Sequence, residues 1–334
     1  MACFHPLKAF YKYGNDGRKQ LTFYNNSFPK PYDAYPDDNK IDIPCGQCVG
    51  CRLEYSRQWA IRCMLEAQQY EHNYFITLTY DNEHLPRKQN PHFSRETGEV
   101  YSFFESSSLV PEDVSQFMKI LRRRFEYHYD FKGIRFFGCG EYGDKFMRPH
   151  YHLILFNCPI PDLELLKTSF SGDVYWKSDL LSDIWKKGFV CVASCNFDTC
   201  AYVARYMMKK QKGLNSSFYD DNGLVAPFSV MSRDPGIAKS YYDKNRDTIF
   251  KYDSLNIVDK NGVAMKVKPP KYYDRLYDIE SPDDLKRIKG KREESAKNAL
   301  ERKLEHTDLT ADEFLQVQEN VFLSKMEKLI RPIE

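Results

Sequence analysis

Residues 133–157 hold two short apolar runs, GIRFFGCGE (133–141) and HYHLILFN (150–157), separated by the turn-like YGDKFMRP. No other part of the chain constrains the fold as tightly. Gly143, Asp144 and Pro149 punctuate the connection, so the two runs are read as strands of one antiparallel hairpin. Side chains alternate across a strand, which puts His150 and His152 on one face and Tyr151 on the other. Pairing Glu141 with His150 sets Cys139 opposite His152, and cross-strand partners share a face. Glu141, His150 and His152 then converge. A slip of one residue would send Glu141 to the opposite face.

Two imidazoles held ~6–7 Å apart on a rigid strand can reach one cation, and histidine is the commonest metal ligand. Two histidines with one carboxylate suit Mg²⁺ or Mn²⁺ when phosphate oxygens complete the coordination shell. The competing reading is a pair of half-buried, hydrogen-bonded histidines at a strand end. A histidine-triad hydrolase would want a third histidine at position 154, which is Ile154.

The rest of the chain reads as one α+β domain with appendages. Leu53, Trp59 or Ala60, Cys63, Met64, Ala67 and Tyr70 recur at helical spacing, predicting a helix over 52–70. NYFITLTYD (73–81) alternates as a strand, and residues 82–110 read as a long loop or hairpin. PEDVSQFMKILRRRFEYHY opens with Pro111 and acidic residues, as helices prefer. A helix over 175–187, a strand at GFVCVASC, and a helix in FDTCAYVARYMMKKQKG follow, the last with Asp198 as a possible N-cap and Gly213 as its stop. The order predicts an antiparallel central sheet with flanking helices. Residues 1–70 form a cysteine-rich N-terminal segment, irregular up to about Ile43, and 71–215 the central domain. Residues 216–275 form an extension, and 276–334 a charged helical appendage, either a solvated helix pair or an arm for a partner or DNA.

Three further clusters carry chemistry. Tyr202 and Tyr206 lie four apart on one helical face that Lys210 extends, with Lys209 beside it. A phenol with a pKa near ~10 is a weak nucleophile, and neighbouring cations activate it by stabilising the phenolate. Cys45, Cys48 and Cys51 stand at C-x-x-C-x-x-C spacing, with Cys3 a possible fourth ligand. Such thiolates can meet around Zn²⁺ or an iron–sulfur cluster, or remain reduced and packed. Cys191, Cys195 and Cys200 fall inside predicted core elements and read as small hydrophobes. Lys119, Arg122, Arg123 and Arg124 crowd one helix end and Arg205 the tyrosine helix. Local positive charge on a chain of net charge +2 suits phosphate contacts.

FITLTYD (75–81), RPHYHLILF (148–156) and YVARYMMKK (202–210), in that order, resemble the three motifs of the HUH endonucleases, the rolling-circle replication initiators. With PCGQCVGCR and MSRDPGI (231–237), the chain resembles the replication initiators of gokushoviruses, single-stranded-DNA phages of the Microviridae. The resemblance implies an HUH-type nickase. His150 and His152 would bind the divalent cation, with Glu141 as the acidic ligand. Tyr202 or Tyr206 would attack and become 5′-phosphotyrosyl-linked, with Lys209 or Lys210 assisting. It also implies a single-stranded DNA origin as substrate, with host polymerase and helicase as partners. Tyr151 sits where the family pattern has a bulky hydrophobic residue.

No stretch approaches the ~18 apolar residues of a spanning helix. The start, MACFHPLKAFYKYG, lacks the apolar centre of a secretory signal. The expected location is therefore the host bacterial cytoplasm, where clustered thiols favour metal over disulfide. Two other functions fit the same residues: a metal-dependent phosphodiesterase using water, and a noncatalytic origin-binding protein with structural histidines.

Overall fold

The computed structural model describes residues 3–15, 19–93, 97, 99–170, 172–206, 218–258 and 262–327, with the backbone alone for a few of them, Tyr206 among these. The chain divides into two compact units, Met1–Tyr55 with Lys289–Glu334, and Ser56–Ile288. Among the described residues no helix is long and apolar enough to cross a membrane.

Strands β1 (Leu7–Tyr13), β2 (Lys19–Phe23) and β3 (Lys40–Ile43) form a three-stranded antiparallel sheet in the order β2-β1-β3. The sequence predicts irregular structure here, and the structure corrects that expectation. The strands hide because they are short, and because Phe10 on the lysine-bearing face of β1 interrupts its alternation. Phe10 packs on Tyr24, Phe28, Tyr32 and Tyr35 with ring centroids 5.0 to 6.4 Å apart. Helix α1 (Val49–Ala67) follows the cysteine-rich turn.

The second unit is built on a seven-stranded antiparallel sheet. After β4 (Asn73–Tyr80), the hairpin β5 (Arg87–Phe93) and β6 (Val100–Ser107) precedes α2 (Pro111–Tyr129). Strands β7 (Arg135–Tyr142) and β8 (Pro149–Phe156) form the expected hairpin, with Glu141 opposite His150 and Cys139 opposite His152. Two strands absent from the sequence reading come next, β9 (Glu164–Thr168) and β10 (Val174–Lys177). Every residue of β9 is exposed, so this edge strand buries nothing and shows no alternation. Helix α3 (Asp179–Trp185) is accordingly shorter than expected, capped by the Ser178 hydroxyl, which accepts from the Leu181 N–H. Strand β11 (Gly188–Ser194), α4 (Phe197–Tyr206), α5 (Phe218–Asp221) and β12 (Phe228–Met231) follow. The chain continues through α6 (Lys239–Tyr252), the hairpin β13 (Leu255–Val258) and β14 (Ala264–Val267), and α7 (Lys271–Glu280). Helices α8 (Pro282–Leu304) and α9 (Ala311–Glu327) end the described chain. The sheet order is β12-β7-β8-β4-β11-β10-β9.

Alternation along the central strands creates two separate cores. On one face Ile76, Leu78, Tyr151, Leu153 and Leu155 meet Val114, Phe117, Leu121 and Phe125 of α2. On the other, Phe137, Cys139, Ile154 and Phe156 meet Ala60, Cys63 and Met64 of α1 and Cys200, Val203 and Ala204 of α4. The GCG of β7 serves this layering. A Cβ on Gly138 would meet Leu153 Cδ2 at 2.1 Å, and one on Gly140 the Phe228 ring at 2.8 Å, so only hydrogen fits beneath these side chains.

Tyr151 is fully buried, and its hydroxyl is satisfied. It donates to the Val110 carbonyl at 3.0 Å, accepts from the Val110 N–H at 2.9 Å and lies 2.8 Å from the Tyr80 hydroxyl. Tyr80 donates to Asp113, which also holds Lys187 Nζ. Burial outweighs these bonds and pushes the Tyr151 phenol up to about 12. The tyrosine at a family position calling for a hydrophobic residue is thus a core ring with a pinned polar tip. Tyr151→Phe leaves the Val110 N–H without the hydroxyl that accepts from it and is expected to cost about 1–3 kcal/mol. Thermal unfolding checks this, at ~2–4 °C of melting temperature per kcal/mol; an unchanged melting temperature would show that the network contributes nothing.

Candidate metal and tyrosine site

The hairpin register carries Glu141, His150 and His152 to the sheet face that packs on α1 and α4. Their ligand atoms all lie within 4.8 Å of one another. Glu141 Oε1 is 3.1 Å from His150 Nε2 and 2.9 Å from His152 Nε2. The carboxylate and His152 are buried, while His150 keeps 17% of its side chain exposed and opens the cluster to solvent.

The far side of each imidazole is anchored. His150 Nδ1 lies 3.1 Å from the Arg148 carbonyl, and His152 Nδ1 lies 3.0 Å from Thr77 Oγ1. A carbonyl only accepts, so His150 carries its hydrogen on Nδ1 and a neutral ring turns the Nε2 lone pair toward Glu141. A lone pair and a carboxylate oxygen repel unless a proton or a metal lies between them. Burial raises the Glu141 carboxyl pKa, but the His150 and His152 imidazoles beside it overcome that and hold the group below the usual carboxylate range. One oxygen and two nitrogens, anchored from behind and ionised in front, fit a divalent cation with open positions left for substrate.

Tyr202 stands against this cluster. Its ring meets His152 at 5.1 Å between centroids and 83°, and Phe75 at 6.1 Å. Phe75 stacks on His152 at 5.3 Å, so the three rings form one triangle. Helix α4 delivers the tyrosine because its buried stripe, Cys200, Val203 and Ala204, docks on α1, and Ser56 Oγ donates to the Ala201 carbonyl at 3.2 Å. The helix starts at a reciprocal cap: Asn196 Oδ1 accepts from the Thr199 N–H, and Thr199 Oγ1 from the Asn196 N–H, both at 2.9 Å. Asn196 therefore replaces the expected Asp198 as N-cap, while Asp198 sits in the first turn, where a negative charge suits the helix dipole. Tyr206 closes α4 one turn beyond Tyr202. Lys209, Lys210 and Gly213 lie outside the described residues.

The basic residues divide. Arg205 is exposed, with its guanidinium 5.9 Å from the Tyr202 ring. The α2 cluster lies on the opposite sheet face from the histidines. There Arg122 donates to the Ile134 carbonyl and Ser232 Oγ, and Arg124 pairs with Asp183 at 2.8 Å. Lys119 and Arg123 are exposed. Among the core cysteines, Cys200 is buried and Cys191 and Cys195 are half-buried.

A second cluster lies in the other unit. The sulfurs of Cys3, Cys45, Cys48 and Cys51 also fall within 4.8 Å of one another. Backbone N–H groups point at them: Cys45 to Cys3 Sγ at 3.2 Å, Cys48 to Cys45 Sγ at 3.3 Å, and Cys51 and Phe4 to Cys48 Sγ at 3.4 Å. Burial disfavours ionisation of Cys48, but the N–H groups of Cys51 and Phe4 bring its thiol down to about 6. Four converging sulfurs with thiolate-stabilising amides fit a closed tetrahedral metal site.

A family model for replication-associated proteins of the ORF2 type matches residues 73–211. The chain is 34% identical over 338 residues to replication-associated protein ORF2 of Spiroplasma virus 4, covering 100% of this chain and 99% of that protein. It is 28% identical to replication-associated protein VP4 of Bdellovibrio phage phiMH2K, over 85% of this chain and 79% of that one. A third relative, replication-associated protein ORF4 of Chlamydia phage 1, is 34% identical over 50% of this chain and 38% of its own length. No solved structure matches significantly. The capping assignment is directly testable. Asn196→Ala is expected to destabilise the protein by about 0.5–2 kcal/mol and Asp198→Ala by less, and equal losses in denaturant unfolding would return the cap to Asp198.

Proposed function

The chain belongs to the family of phage replication-associated proteins, and on that premise we propose that it initiates rolling-circle replication by nicking single-stranded DNA at a viral origin. One observation carries the reading: a tyrosine ring in contact with His152 of a buried two-histidine, one-carboxylate cluster. Glu141, His150 and His152 would hold a divalent cation, Mg²⁺ or Mn²⁺, which when bound polarises a phosphodiester oxygen and favours phenolate over phenol.

The chain's own groups supply the rest. Thr77 and the Arg148 carbonyl fix the imidazoles, so no reorganisation is needed when a phosphate arrives. The Tyr202 oxygen attacks phosphorus, the bond to the 3′ oxygen breaks, and that oxygen leaves with a proton as a 3′-OH. The strand remains joined through its 5′ phosphate to tyrosine, and the 3′-OH is available to a host polymerase working with a helicase. Tyr206 is the second nucleophile for the regenerated junction, after which the 3′-OH reseals the excised circle. Lys209 and Lys210 would assist the phenolate. Arg205, beside Tyr202, is the first basic contact for the strand, and Lys119 and Arg123 would engage it only where it passes the far side of the sheet. The cysteine quartet is assigned a structural Zn²⁺, which would tie the N-terminus to the turn before α1. The host bacterial cytoplasm is the compartment this function requires.

Two experiments test the reading. Glu141→Ala or His152→Ala should reduce Mn²⁺-dependent nicking of an origin oligonucleotide by ~10²-fold or more while leaving strand binding within about twofold; full activity in either variant removes the cation site. Tyr202→Phe combined with Tyr206→Phe should eliminate the covalent protein–DNA band on a denaturing gel. A persisting band reassigns the nucleophile, and cleavage without any band in the unmodified protein points to water instead. For the quartet, purified protein should carry one zinc that Cys48→Ser loses, and equal zinc in both would reject the assignment.

A further inference from the structure

Two motifs not used by the nicking chemistry meet at the far end of the same unit. Arg122 of α2 and residues 231–235 of the MSRDPGI segment line a cavity of about 750 Å³ beyond the start of β7 and the end of β12. Arg122, Arg135 and Arg233 all line it, together with Ser232, Ser240 and a single acidic residue, Asp234. The volume falls within the ~300–1,000 Å³ of small-ligand pockets, and the arginines and serines share the wall with Ile134, Phe136 and Met231.

Two of the guanidiniums are built in. Arg135 donates to Glu66 Oε1 at 2.5 Å and to the carbonyls of Asp234 and Pro235. Glu66 Oε2 in turn accepts from the Ala238 N–H. This clamp fixes the 234–238 loop, so the cavity wall is formed in the protein as it stands. Arg122 enters from α2, held through Nε by the Ile134 carbonyl and through one terminal nitrogen by Ser232 Oγ. Burial, and then the like charge of Arg135, press the Arg122 guanidinium below its ordinary value. Arg233 is exposed at the rim and makes no ion pair with a described residue. Glu66 neutralises Arg135, which shapes the wall, whereas Arg122 and Arg233 bring two further positive charges to a hollow with one acidic lining residue, Asp234, an arrangement that an anion relieves. Planar guanidiniums beside serine hydroxyls recognise phosphate oxygens in particular.

We propose that this cavity binds the phosphate of a nucleotide, in the first instance one belonging to the single strand that the nicking site processes. The strand as source rests on the function proposed above; the phosphate chemistry does not. Arg135 and Glu141 share β7, six residues apart, so the cavity lies ~20 Å along the sheet from the cation cluster. It would hold the strand away from the scissile phosphate, giving register without taking part in the chemistry.

The test uses the full chain without added divalent cation, so that the nicking reaction is silent. Arg233→Ala and Ser240→Asp are the variants because neither touches the Arg135–Glu66 clamp. The probes are a fluorescent 20-nucleotide thymidine oligomer, dATP and inorganic phosphate. Arg233→Ala should weaken oligomer binding about 3–10-fold and flatten its salt dependence by ~0.7 in log–log slope for one lost phosphate contact. Ser240→Asp should weaken it further, with both melting temperatures unchanged. Losses confined to the oligomer identify the strand as source; losses confined to dATP and phosphate identify a free nucleotide, and either supports the phosphate site. Unchanged affinity and salt slope for all three probes in both variants would overturn it. The covalent-band assay on the unmodified protein is read separately, so an absent band counts against the nicking reading and leaves this measurement standing.

Discussion

The pairing of Glu141 with His150 across the β7–β8 hairpin is the constraint on which the rest depends. Strand geometry allows two side-chain directions, and β8 uses both without compromise. His150 and His152 point into the chemical face; Tyr151, between them, points into the core and is locked there by Val110 and Tyr80. The strand cannot exchange its two faces unless a buried phenol leaves its hydrogen bonds. Rigidity at the reactive face is thus supplied from behind it, by groups that never meet a ligand.

A buried carboxylate facing two imidazoles is a poor device for stability alone. Desolvating such groups costs several kcal/mol per ion, and well-packed apolar residues often do as well or better. The same face elsewhere is filled by Phe137, Ile154 and Phe156, so the polar cluster interrupts a core that apolar residues could have continued. Its retention beside Tyr202 is coherent if the cluster is meant to take a cation, and hard to rationalise otherwise. The cysteine quartet follows the same logic in the other unit: thiolate-directed amides have little to do in a merely packed sulfur cluster.

The parts visible in the sequence were those where one face is buried and the other carries chemistry, because there alternation and reactive residue types coincide. The hairpin, its register and the tyrosine helix belong to this class. The N-terminal sheet was hidden by the shortness of its strands and by Phe10 on the lysine-bearing face of β1, and β9 by having no buried face at all. The arginines of α2 looked like one surface patch, yet Arg122 and Arg124 are taken up by Ser232 and Asp183, partners that lie more than fifty positions away and cannot be foreseen from composition. The Asn196–Thr199 cap was missed for a simpler reason: an aspartate two residues later offers the same oxygen chemistry. The cavity lined by MSRDPGI needed coordinates, since it draws on residues from position 70 to 240.

The unit made of Met1–Tyr55 and Lys289–Glu334 is stitched from both ends of the chain. On a ribosome, elongating at ~5–20 residues per second, its first strands emerge early and must wait on the order of ten seconds or more for their remaining helices. The intervening unit, with Glu141, His150 and His152, is fully translated in that interval. Completion of the terminal unit therefore reports that translation has reached the last helices, whereas the unit holding Glu141, His150 and His152 can fold earlier.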